Sequence, residues 1–122
     1  MIKIKNLTKK YIGFELKIDS LVIDKPGIYS FFGKSGSGKS TLLNILSGLD
    51  NDYQGSYFFN DKLLSGLSLN KLSKFRYNNI GYIHQKSLLF EELKVRDNIF
   101  FDLNKKDISI SLYKELINKT KI

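Results

Sequence analysis

The chain has 122 residues, 42% of them hydrophobic and 26% charged, which is enough for one domain with a buried core. No run approaches the roughly 20 apolar residues of a membrane helix, and the alternating start Met1-Ile2-Lys3-Ile4-Lys5 is not a signal peptide. There is no cysteine, so disulfide frameworks and thiolate metal sites are excluded, and the formal net charge is +8. The lysines that carry this charge are scattered from Lys3 to Lys121, and Arg76 and Arg96 are the only arginines. A nucleic-acid reader clusters its arginines, so no nucleic-acid partner is expected.

Residues 2–7 alternate apolar and polar and predict a strand. Residues 14–23 alternate again, with Phe14, Leu16 and Ile18 on one face, as in a half-buried or antiparallel strand. Pro26-Gly27 marks a turn. Residues 28–32 are short, mostly apolar and β-prone, which predicts a buried strand. After a glycine-rich loop, Leu42, Leu43, Ile45 and Leu46 predict a helix that stops at Gly48. Residues 55–59 and 62–64, joined by Asn60-Asp61, predict a hairpin. Residues 69–77 predict a short amphipathic helix, and residues 80–84 a further strand. Residues 95–101 and 108–119 predict two more helices, the second with Ile108, Leu112, Leu116 and Ile117 on one face.

The loop reads Gly33-Lys34-Ser35-Gly36-Ser37-Gly38-Lys39-Ser40, followed by Thr41, and satisfies G-x-x-x-x-G-K-[ST] in full. Gly36 and Gly38 permit positive φ, which turns successive N–H groups into one concavity. The helix that follows adds its positive end, so the segment is suited to phosphate. In such a loop Lys39 bridges the β- and γ-phosphates and the Ser40 hydroxyl ligates Mg²⁺. The expected cofactors are therefore ATP and Mg²⁺.

The run Gly33-Lys34-Ser35-Gly36-Ser37-Gly38-Lys39-Ser40-Thr41-Leu42-Leu43-Asn44-Ile45-Leu46-Ser47-Gly48-Leu49-Asp50 resembles the ATP-binding subunit of ABC transporters. Asn6-Leu7-Thr8-Lys9-Lys10-Tyr11 is similar to the family's opening strand with its adenine-stacking aromatic. Ile80-Gly81-Tyr82-Ile83-His84-Gln85 is similar to the strand that ends in the Q-loop glutamine. Residues 64–77, with Leu67-Ser68 and Leu72-Ser73 before Phe75-Arg76, resemble the lipoprotein-release, macrolide and bacteriocin exporter branch. The resemblance covers about residues 1–101.

The resemblance implies an α/β fold: a P-loop NTPase core sheet with an antiparallel β edge, and a helical subdomain starting after about residue 86. It implies base stacking by Tyr11, and a catalytic and Mg²⁺-directed role for Gln85 beside Lys39. It also implies a second ATP-binding subunit, an integral membrane partner and a place on the cytoplasmic face of the membrane. In a whole family member, ATP binding and hydrolysis are coupled to transport. Residues 86–122 contain neither the family's LSGGQ signature nor an apolar run closing on Asp-Glu, so the chain reads as the N-terminal part of such a domain. Leu64-Ser65-Gly66-Leu67-Ser68 echoes the signature but precedes Gln85 and lacks its second glycine. His84, the single histidine, reads as strand packing. The alternatives are a non-catalytic ATP-binding remnant and a small P-loop kinase; two arginines are few for a kinase lid.

Overall fold

A computed structural model of the chain describes residues 1–85, 89–99, 114–115 and 118–119. The chain divides into two compact units, Met1–Tyr82 and Ile83–Ile122. In the first unit the order is β1 (Ile2–Tyr11), β2 (Phe14–Ile23), α1 (Lys39–Leu46), β3 (Gln54–Phe59), β4 (Lys62–Leu63) and α2 (Leu69–Asn79). The four strands form one sheet in the order β2-β1-β3-β4, and every pairing is antiparallel.

Local chemistry explains the two hairpins. Tyr11 pairs with Phe14 across the two-residue turn Ile12-Gly13, where Gly13 has φ 78°. Asn60 and Asp61, with φ of 46° and 61°, make the left-handed turn that matches the twist of β3 and β4. β1 also carries an irregularity. Its register with β3 shifts between Lys5 and Thr8, and Asn6 takes a φ of 49°. This extra residue changes the phase of the strand. Ile4 faces inward before it, and Leu7 and Lys9 face inward after it.

The core joins the sheet to both helices. Leu42, Ile45 and Leu46 of α1 meet Ile4, Leu7 and Tyr57 of the sheet, Leu64, and Leu72 and Phe75 of α2. The rings of Phe59 and Phe75 meet edge to face at 5.1 Å. The carbonyl end of α1 is satisfied by side chains. The buried Tyr57 hydroxyl donates to Leu46 O at 2.8 Å, and Arg76 Nη1 donates to Gly48 O at 2.7 Å. Burial pushes the Tyr57 phenol above its ordinary pKa.

The α/β class and the antiparallel edge stand as expected, and α2 runs two residues beyond the predicted range. Two predicted strands are not strands. Residues 28–32 pair with no strand among the described residues, and Ile28 and Phe32 are 99% and 93% exposed. Of this run Phe31 packs on the core. Residues 80–84 likewise form no strand, and Ile83 is 97% exposed. Apolar β-prone residues make a strand only when a neighbour accepts their backbone hydrogen bonds, and β1 to β4 pair with one another instead.

In the second unit α3 spans Val95–Ile99, the start of the predicted 95–101 helix; residues 100–101 lie outside the described residues. The Asn98 amide closes the preceding turn, accepting from Phe90 N at 2.8 Å and donating to Phe90 O at 2.9 Å. Most of the predicted 108–119 helix lies outside the described residues; residues 114–115 and 118–119 are helical, with a Lys119–Glu115 ion pair at 2.6 Å. No helix among the described residues is long and apolar enough to cross a membrane.

Tyr57→Phe should lower stability by about 1–3 kcal/mol, because the buried Leu46 carbonyl loses its donor while the ring still fills the core. Urea denaturation checks this; an unchanged midpoint would mean that the carbonyl needs no partner.

Candidate functional site

The loop between residues 33 and 38 runs directly into α1. Gly36 has φ 78° and Gly38 has φ 91°, the left-handed values that turn backbone amides inward. Gly38 is also the N-cap of α1, with no side chain capping the helix. The N–H groups of Lys39, Ser40 and Thr41 therefore have no intrahelical acceptor. The first turn contains no acidic residue, so nothing there neutralises the positive end of the helix.

At Gly38 crowding adds to the demand of φ. A Cβ on Gly38 would lie 2.9 Å from Phe14 Cζ and 3.1 Å from Leu16 Cδ1. A Cβ on Gly33 would lie 2.6 Å from Ser37 Oγ. Gly36, by contrast, has open space. The Lys39 ammonium is held across the loop, donating to Gly33 O at 2.8 Å and Lys34 O at 2.7 Å, with Ser37 Oγ at 3.4 Å. Ser35, Ser37 and Ser40 are exposed around it, and Thr41 is half-buried. Unpaired amides, one ammonium and exposed hydroxyls make a cradle of donors fitted to an anion with several oxygens.

Tyr11 sits at the β1–β2 turn, 48% exposed. Its ring stacks on Phe14 at 6.2 Å and 24°, and Phe14 is the residue that packs on Gly38. The aromatic pair thus leads from the cradle outward. Behind it the Lys9 side chain, 8% exposed, donates to Asp50 Oδ1 at 3.1 Å and Asp52 Oδ2 at 3.0 Å. Burial disfavours the Lys9 charge, but its hydrogen bonds to Asp52 and Asp50 and their negative charge outweigh this and raise its pKa above the ordinary lysine value.

Residues 16–122 match the sequence profile of the family described as ABC transporter. The chain belongs to the ABC transporter family. It is 39% identical over 108 residues to the lipoprotein-releasing system ATP-binding protein LolD of Buchnera aphidicola, covering 84% of this chain and 47% of that protein. It is 42% identical over 123 residues to the methionine import ATP-binding protein MetN of Campylobacter jejuni, covering 98% of this chain and 36% of that protein. Among solved structures, a bacterial ABC transporter cassette determined as a dimer matches with a TM-score of 0.80 at 32% identity, over 94% of this chain and 53% of the cassette. The chain thus spans about a third to a half of the length of these relatives.

The structure gathers the predicted ABC site residues Gly33, Ser35, Gly36, Ser37, Gly38, Lys39, Ser40 and Thr41 into one loop and helix start, and links Tyr11 to it through Phe14. Gln85 and His84 are exposed residues of the second unit. The contact of Phe14 with Gly38 and the pairing of Lys9 with the two aspartates were not legible in the sequence. Phe14 reads there as one apolar position of an alternating strand, and the β1 irregularity that turns Lys9 inward shows in the sequence only as the three-residue step from Ile4 to Leu7.

Gly38→Ala should destabilise the protein more than Gly36→Ala does. Both pay about 1–2 kcal/mol for a Cβ at positive φ, and Gly38→Ala adds about 1–3 kcal/mol of crowding against Phe14 and Leu16. Paired denaturation curves decide it; equal losses would mean that β2 does not press on the loop.

Proposed function

We propose that the chain binds Mg-ATP through residues 33–41 as the nucleotide-binding part of an ABC transporter ATPase subunit. The observation that carries this reading is the cradle: two left-handed glycines, an acid-free helix N-terminus and the Lys39 ammonium held at the loop mouth. In this reading the amides of Gly36 and of Gly38 to Thr41 hold the β-phosphate, while Ser37 N donates to Lys34 O at 3.2 Å within the loop; Lys39 compensates the charge of the β- and γ-phosphates, and Tyr11 offers its ring to adenine. The Ser40 hydroxyl would hold Mg²⁺ at the loop, and the family resemblance assigns the neutral amide of Gln85 the same role. Bound Mg²⁺ supplies charge neutralisation at the phosphate oxygens.

The relatives named as ATP-binding proteins of lipoprotein release and methionine import give the transport context. From it we infer a membrane subunit as partner, a second ATP-binding subunit, and a place on the cytoplasmic face of the membrane. The helical subdomain begins after about residue 86, and Phe90, Leu93 and Val95, exposed in the second unit, are the side chains offered to the membrane subunit.

Lys39→Ala should weaken Mg-ATP binding by about 10- to 150-fold, the worth of one charge-assisted contact of roughly 1.5–3 kcal/mol, and leave AMP binding unchanged. Calorimetry with both nucleotides tests this. Equal losses for AMP and ATP would remove Lys39 from the β- and γ-phosphates.

A further inference from the structure

Lys9 is a costly residue to bury, since a charge leaves water only at the expense of its hydration. A buried ion pair adds little net stability, so its position calls for another account. The irregularity at Asn6 turns Lys9 to the inner face of β1 in phase with Leu7, and Tyr11 follows two residues later. The ammonium lies 5.3 Å from the centroid of the Tyr11 ring, within cation–π range. The Tyr11 hydroxyl reaches Asp50 Oδ2 at 3.5 Å, and Asp52 N donates to Asp50 Oδ1 at 3.0 Å, so the acidic loop is closed on itself.

That loop leaves the carbonyl end of α1: Leu49 N and Asp50 N both donate to Asn44 O. The opposite end of α1 begins at Gly38, against which Phe14 packs, and Phe14 stacks on Tyr11. Tyr11 is therefore tied to both ends of the helix that carries the cradle, to its start through Phe14 and to its finish through Lys9 and Asp50. We propose that Lys9, clamped by Asp50 and Asp52, is a positioning residue that holds the Tyr11 ring at a fixed place relative to the phosphate cradle and so sets how firmly a nucleobase is bound. This rests on the reading of residues 33–41 as a nucleotide site. Lys9 touches no phosphate in this scheme; it acts through Tyr11.

The test is calorimetry with Mg-ATP and with Mg-tripolyphosphate, which has the phosphates but no base, on the 122-residue chain. Lys9→Met should weaken Mg-ATP about 3- to 10-fold and leave tripolyphosphate unchanged, less than the full loss of the ring in Tyr11→Ala. Asp52→Asn, a change at a side chain that is 96% exposed and one that leaves Asp50 paired with Lys9, should weaken Mg-ATP about twofold in the same selective way. In the Tyr11→Ala background Lys9→Met should cost nothing further. Equal losses for both ligands, full ATP affinity in Lys9→Met, or additive losses in the double variant would each overturn the proposal. If Lys9→Met fails to fold, a selective loss in Asp52→Asn supports it and an unselective or absent one overturns it. A wild-type chain that does not bind tripolyphosphate would instead overturn the reading of the loop itself.

Discussion

The anchoring of α1 is the constraint on which the rest of the molecule depends. A phosphate cradle is a set of backbone amides, and amides have no fixed direction unless the helix behind them is fixed. Leu42, Ile45 and Leu46 fix it by burial against the sheet, and truncating such core residues costs about 2–5 kcal/mol each. The polar contacts complete the hold. Tyr57 and Arg76 bind the carbonyl end, so that end is not free to fray, and Gly38 is pressed by β2 at the other. The antiparallel sheet thus serves function indirectly: it supplies the surface against which a short helix holds its amides in place.

The same sheet joins the Tyr11–Phe14 aromatic pair to the loop before α1. β1 and β2 turn at Ile12-Gly13, which brings Tyr11 and Phe14 together, and Phe14 reaches the first residue before α1. The irregularity in β1 turns Lys9 toward the acidic loop beyond α1. Electrostatics agree with an anionic ligand. The loop carries Lys34 and Lys39, and no acid stands in the first turn of the helix.

Much of this was legible in the sequence because it is written in local rules. The glycine loop, the helix after it, the Asn60-Asp61 hairpin and the alternation of β2 each depend on residues next to one another. What failed depended on distant partners. Residues 28–32 and 80–84 have strand composition, yet composition does not provide the neighbouring strand. What was missed depended on phase. One extra residue at Asn6 separates Ile4 from Leu7 by three positions and turns Lys9 inward, and no propensity scale reads a bulge from such a spacing. The part played by Phe14 is of the same kind, since its contact with Gly38 spans 24 residues of sequence.

The central claim is that this chain by itself forms the phosphate cradle. Backbone amide NMR during a titration with Mg-tripolyphosphate tests it most directly. The account predicts that the largest saturable shifts fall on the amides of Gly36, Ser37, Gly38, Lys39 and Ser40, with slowed hydrogen exchange in the first turn of α1. Shifts spread evenly over exposed lysines such as Lys62, Lys71 and Lys74, with none concentrated at the start of α1, would contradict it.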